Sequence, residues 1–333
     1  MPGVVDYDTA TNIATFNPTV DLIGAPATNY TATIKGSPTG VRDLAGNLLA
    51  ADVMTTFTTN ASTCATAPPL GAAAPFGGIG GIATLTNDGL GTVINGDIGV
   101  EAASTSVTGL HDSDGNEYAI TPTNNGQVNG LVYTSTAPPG SVPGAAVMQA
   151  RADAQLAFTS ISPGILAGAI DMANTAQCPS CGGLLGGADE LAGRTLPPGI
   201  YLSPTFDLGG AGRLVGDLTL DAGGDANAVW IFQTTAGTGT LNVGLTGPAT
   251  PTPPISMLLI NGAKPKNVFW YVPAGATMGT GSTVVGTLLS NAAITFSTTG
   301  TPPLAVVTTL HGRAIAITAA VTMTNTVINV PAP

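Results

Sequence analysis

Charge is what this chain has least of. Only 8% of its 333 residues are Asp, Glu, Lys or Arg, against about 25% in an average globular protein. Eight Lys and Arg face 19 Asp and Glu, for a net charge of −11. So few cations under an acidic balance exclude phosphate backbones and anionic membranes as partners. Histidine is nearly absent as well: His111 and His311 are the only two. No Ser-His-Asp or Cys-His spacing stands out, and a zinc site built on Cys64, Cys178 and Cys181 would need a fourth ligand. Cys178-Pro-Ser-Cys181 has redox-pair spacing but lies in a Gly-rich loop without a βαβ frame, so it reads as a loop disulfide or two idle thiols. No run is long and apolar enough to span a membrane, and no secretory signal peptide opens the chain. The low charge does not mean disorder, because 44% of the residues are hydrophobic.

What is abundant is Thr, Ser, Asn, Gly and small apolar residues in a recurring line. From Asn267 the chain reads NVFWYVPAGATMGTGSTVVG, then TLLSNAAITFSTTG, then GRAIAITAAVTMTNTVINV. Each line has an apolar strand, a small-residue corner and a second strand of Thr-apolar-small-Thr/Asn type. An earlier copy, Thr240-Leu241-Asn242-Val243, follows the apolar strand Ala228-Val229-Trp230-Ile231-Phe232. Short strands recurring between Gly-rich corners predict a parallel β-solenoid. The stretch STTGTPPLAVVTTL breaks the step between the second and third lines, so the solenoid is expected to be discontinuous.

Upstream, residues 3–59 alternate as short strands around Val4–Tyr7, Ile13–Phe16, Tyr30–Ile34 and Thr55–Thr58. The words VDYDTATNIATFNPTVDL, YTATI, VRDLAGNLLA and TTFTT resemble the C-terminal half of a bacterial Ig-like domain. In that family further strands would precede Val4, so a partial sandwich acting as a spacer is expected over residues 1–60. Residues 61–69 read as a linker, and a second domain is expected over 70–333. One helix is predicted over 144–162. Ser141-Val142-Pro143 would open it, Ser162-Pro163-Gly164 would end it, and Val147, Ala150, Ala154, Ala157, Phe158 and Ile161 form one stripe. That stripe needs a wall of the solenoid to lie on.

Three features tempt a chemical reading, and each has a plainer one. Asp112-Ser113-Asp114-Gly115-Asn116-Glu117 suggests a calcium loop, but Gly115 is fourth rather than sixth and Thr123 stands twelfth, so it reads as a turn. Asp221 and Asp225 flank the turn DAGGD rather than a catalytic cleft. Trp230, Trp270 and Tyr271 sit in the most apolar strands, where core or helix packing is expected before sugar stacking. An enzyme is not expected.

The words VINGDIGV, LPPGIYLS, LTLDAGGDANAVWIFQ, LLINGAKPKNVFWYVPAGATMGTG and TLHGRAIAITAAVTMTNTVI resemble the microbial ice-binding protein family, in matching order over roughly residues 70–330. The resemblance implies a discontinuous right-handed β-solenoid of triangular section with one long helix alongside. Lys266 stands before Asn267 where many relatives carry Cys, loops 111–125 and 299–308 look inserted, and the 165–190 excursion is unusual.

In Thr-apolar-small-Thr strands the apolar residue points inward, because strand side chains alternate. Thr84, Thr86, Ser106, Thr108, Thr240, Asn242, Thr277, Gly279, Thr295, Ser297, Thr322 and Thr324 are then expected together on one flat face free of charge. Coils repeat at about 4.8 Å and outward positions along a strand at about 6.7 Å. Such a grid of methyls and hydroxyls with restricted χ1 suits an ordered lattice of water, although Thr is also simply a good exposed strand residue. With the resemblance, the expected function is ice binding by an extracellular monomer, with no cofactor or metal and with ice as the partner. The alternative is an adhesin or carbohydrate-binding solenoid carried on an Ig-like stalk. A polysaccharide-degrading β-helix would need clustered carboxylates, and these are scattered.

Overall fold

The computed structural model describes residues 2–9, 11, 13–18, 29–36, 38–43, 45–58, 65–136, 144–172, 191–209, 216–235, 237–244, 255–296 and 307–332. Cys64, Cys178, Cys181, Ser297, the expected helix cap Ser141–Pro143 and residues 61–64 of the expected linker lie outside these residues. The chain divides into two compact units, Met1–Thr63 and Cys64–Pro333.

The first unit contains two antiparallel hairpins. Gly3–Asp8 pairs with Ile13–Pro18, and Asn29–Ile34 pairs with Val53–Thr58. Register aligns apolar residues within each hairpin: Val5 opposes Phe16 and Tyr7 opposes Ala14 in the first, and Ile34 opposes Val53 in the second. Between the second pair of strands Asp43 organises its turn. Its carboxylate accepts the backbone N–H groups of Ala45 and Asn47 and the Asn47 amide, which hold it below the usual carboxylate range.

The second unit is a parallel solenoid with three faces. One face is a sheet of seven strands, ordered Phe206–Leu208, Leu241–Val243, Ala276–Met278, Ile294–Phe296, Val321–Met323, Leu85–Asn87 and Val107–Thr108. All its pairings are parallel. The other two faces are built from a larger sheet that turns a corner within its longest strands, Thr283–Ser290 and Thr308–Ala316, and from a three-stranded parallel sheet of Thr195–Leu196, Leu218–Asp221 and Met257–Ile260. The corner falls at Gly286, whose φ is +103°, and at Gly312 on the next coil. A Cβ on Gly312 would sit 1.8 Å from the Gly286 carbonyl oxygen, so the sharp bend and the close rungs require glycine here. Before the corner, the Thr308 strand pairs with Thr326–Asn329; after it, with Phe76–Gly80.

These pairings make the solenoid discontinuous. Residues 76–136 build coils at one end. The helix Ala145–Ser160 then intervenes, and the coils from Ile170 onward build until the last strands meet the first ones. The helix carries the expected stripe: Val147, Ala150, Ala154, Ala157 and Phe158 are buried on it and Ile161 is buried just after it. They pack on outward residues of one face, among them Ile79, Ile200, Ile231, Phe269, Tyr271, Leu289 and Ile315. Phe158 stacks on Tyr271 with ring centroids 4.4 Å apart. Off the stripe, Arg151 pairs with Glu101, and Asp153 accepts the Ala72 backbone N–H at 2.7 Å.

The inward side chains form a continuous second core. Trp270 stacks on Phe232 at 4.0 Å, and Phe206 meets both rings edge-on. Trp230 and Trp270 donate their indole N–H groups to the Leu196 and Val285 carbonyls. Both tryptophans and Tyr271 are therefore packing residues, as their apolar strands imply.

Candidate functional site

In every strand of the seven-stranded sheet one residue faces outward between two buried neighbours. Register aligns these residues into one rank: Asp207, Asn242, Thr277, Thr295, Thr322, Thr86 and Thr108. Each is half-buried, while Leu241, Met278, Ile294, Phe296, Val321 and Leu85 beneath them are fully buried or nearly so. The alternation is the ordinary strand period of two, and the inward methyl-rich and aromatic set holds the outward rank rigid. Five consecutive threonines in this rank span about 19 Å at the usual strand spacing.

A second rank runs two positions earlier along each strand. Backbone bonds from Phe206 to Thr240, Leu241 to Gly275, Ala276 to Ala293, Ile294 to Ala320 and Val321 to Thr84 line up Thr240, Gly275, Ala293, Ala320 and Thr84. Its centre is Gly and Ala, so Thr277, Thr295 and Thr322 have no tall neighbour on that side. Ser106 ends this rank, at the close of a short 3-10 turn.

The structure brings together Thr84, Thr86, Ser106, Thr108, Thr240, Asn242, Thr277, Thr295, Thr322 and Thr324 on or beside these ranks. Gly279 differs from the rest. It is buried at the next corner, where its carbonyl accepts the hydroxyls of Ser282 and Thr308, so it presents no surface. Ser297 lies outside the described residues.

The expected absence of charge also needs correction. Asp207 ends the Thr rank and accepts a hydrogen bond from the Asn242 amide at 2.8 Å. Asp88, exposed, follows Asn87 at the register of Thr324. The strand Phe206–Leu208 was missed as a member of the sheet because it has Asp where the others have Thr or Asn. Only the apolar residues on either side of Asp207 carried the signal. Gly275, Ala293 and Ala320 were legible as corners but not as a rank.

Elsewhere the polar clusters resolve into turns. Asp112 accepts the backbone N–H groups of Asp114 and Asn116, the Asn116 amide and the Tyr118 hydroxyl. Burial raises the Tyr118 phenol above its ordinary value, with the Asp112 charge adding to the effect. Asp221 accepts the Gly223 N–H and the Asn261 amide, which hold it below its ordinary value, and Asp225 accepts the Asn227 N–H. Among the described residues no group of three or more His, Cys, Asp and Glu side chains is placed to hold a metal ion, and no helix is long and apolar enough to cross a membrane.

Comparison with known proteins bears on the same unit. Residues 79–329 match the family model described as ice-binding-like, and residues 1–59 match a bacterial Ig-like domain. An ice-binding protein of Nostoc sp. is 33% identical over 283 residues, covering 85% of this chain and 81% of that one. The crystal structure of an ice-binding protein from the Antarctic ascomycete Antarctomyces psychrotrophicus superposes with a TM-score of 0.56 at 29% identity, covering 80% of this chain and all of that one. A domain of ice-binding protein 1 from Shewanella frigidimarina gives a TM-score of 0.59 at 24% identity over 81% of this chain and all of that one, a likeness of fold alone.

Proposed function

The chain belongs to the ice-binding-like family, and from that premise we propose that it adsorbs to ice through the Thr rank of its seven-stranded sheet. The observation that carries the site is the alignment of Thr277, Thr295, Thr322, Thr86 and Thr108 at one register position on five adjacent coils. Each threonine offers a methyl group, which gains by leaving bulk water, and a hydroxyl, which anchors ordered water. Restricted χ1 rotamers mean that little side-chain entropy is lost on docking. The buried core beneath keeps the rank from reshaping.

Adsorbed molecules pin the ice front. Ice between them can advance only by bulging, and the added curvature makes growth unfavourable. The expected consequences are thermal hysteresis and inhibition of ice recrystallisation, without turnover or cofactor. Because ice crystals grow in the medium, the protein acts outside the cell, with the Ig-like unit as a spacer.

The test is a Tyr scan. Thr277→Tyr and Thr295→Tyr each place a ring above a flat rank and lift its neighbours off the lattice. Each is expected to remove most of the hysteresis while changing stability by no more than about 0.5 kcal/mol. Full hysteresis in both folded variants would show that this rank is not the ice site. Round growth of a crystal in dilute wild-type protein would refute ice binding itself.

A further inference from the structure

A second surface of the solenoid repeats the same physical design with different residues. On the face that precedes the Gly286 corner, five of the strand segments that stack in parallel are Thr283–Val285, Thr309–His311, Val327–Asn329, Val93–Asn95 and Gln127–Asn129, beyond which Leu110–His111 continues the stack. None of these positions is Asp, Glu, Lys or Arg. Register aligns Thr283, Thr309, Val327, Val93 and Gln127 in one outward rank. It aligns His311, Asn329, Asn95 and Asn129 in a second, two positions on.

The second rank is a hydrogen-bonded ladder. The Asn95 amide donates to Asn329 at 2.7 Å, the Asn129 amide to Asn95 at 2.7 Å, and the Gln127 amide to Asn129 at 2.8 Å. The Asn329 amide lies 3.4 Å from His311 Nδ1. Each Asn or Gln that donates in the ladder spends one N–H on it, leaving the other N–H and a carbonyl lone pair for a partner. Asn95, Gln127 and Asn129 are exposed, so water competes for these bonds and their net contribution to stability is small. What the ladder does is fix the amides in one orientation at the coil spacing of about 4.8 Å, beside a rank of methyls.

We propose that this face is a second ice-binding surface, engaging a crystal plane different from that met by the Thr rank. The inference rests on the ice-binding reading above. A flat, uncharged array of pre-oriented donors and acceptors fits a hydrogen-bonded lattice. It fits a glycan poorly, because these five segments carry no Trp, Tyr or Phe ring for a sugar to stack on and no carboxylate to grip its hydroxyls.

The experiment is adsorption of amine-labelled full-length protein to a single-crystal ice hemisphere, reading which planes fluoresce. Wild type is expected to mark two families of planes. Thr277→Tyr with Thr295→Tyr should lose one family and keep the other. Val93→Tyr with Val327→Tyr should show the converse loss, and folding of each variant is checked by its melting curve. If the valine pair fails to fold, Asn95→Lys with Asn129→Lys, both exposed, replaces it with the same expected loss. Loss of all label in the folded threonine variant, or an unchanged pattern in the folded amide-face variant, would overturn the second surface while leaving the first intact. Absence of label with wild type would instead overturn the ice reading itself. Glycan binding abolished by the amide-face variant, with ice labelling untouched, would reassign the face to carbohydrate.

Discussion

At the scale of single residues, the Thr rank owes its character to what surrounds each hydroxyl. Thr295 sits between Ile294 and Phe296, both fully buried, with Thr277 and Thr322 on the neighbouring coils and Ala293 two positions before it. Its register neighbours among the described residues are threonines, and Ala293 is small. Asp207 breaks this pattern at one end. A carboxylate orders water radially around its charge, in an arrangement that does not continue a lattice, and stripping that water is costly. Asp207→Thr is therefore expected to lengthen the usable rank and raise thermal hysteresis, whereas Asp207→Lys gains nothing. The hydrogen bond to Asn242 is lost in Asp207→Thr, at a cost of about 1 kcal/mol. The two effects separate when hysteresis and melting temperature are measured on the same sample. Lower hysteresis in a folded Asp207→Thr protein would mean that the carboxylate itself takes part in binding.

At the scale of elements, the helix shows which contacts hold a long amphipathic segment to a sheet. Its stripe is mostly alanine, which lets the backbone approach closely, and Phe158 is its one large anchor. Just beyond its end, Gln233 donates through its side-chain nitrogen to the carbonyls of Ile161 and Leu166, tying down the chain as it leaves the helix. Phe158→Ala removes the stack on Tyr271 and leaves a void, with an expected cost of about 3–5 kcal/mol. Gln233→Leu leaves the two carbonyls unpaired in a buried site, with an expected cost of about 1–3 kcal/mol. Both show as lower melting temperatures. Hysteresis measured well below the transition should be unchanged, because the helix and the Thr rank lie on different faces. The helix was legible in the sequence because its stripe recurs at a spacing that no strand shares. The outward threonines were legible for the equivalent reason, through alternation. The amide ladder was not, because Asn95, Asn129 and Asn329 are scattered through the chain and only the fold brings them to one register.

At the scale of the whole solenoid, the order of coils in space departs from the order in sequence, and no local pattern encodes it. Every coil offers similar alternating apolar strands, so the sequence shows that coils stack but not which coil meets which. Asn329 illustrates the two kinds of neighbour. It contacts His311, 18 positions away, on one side and Asn95, 234 positions away, on the other. Closing the longer loop costs about 2 kcal/mol more in chain entropy than closing the shorter one. The seam where Phe76–Gly80, Leu85–Asn87 and Val93–Asn95 meet the last coils is therefore expected to form after the locally connected coils have stacked. Two fully buried residues of the same sheet test this. Ile294 is flanked by coils near it in sequence, at Ala276 and Val321, whereas Leu85 faces Val321 across the seam. Ile294→Ala and Leu85→Ala should each cost about 2–5 kcal/mol. Substitution in the early-formed part slows refolding, and substitution in the late-formed part speeds unfolding. Stopped-flow measurement is thus expected to find slower refolding for Ile294→Ala, and near wild-type refolding with faster unfolding for Leu85→Ala. The opposite partition would mean that the seam forms first and that the coils stack outward from it.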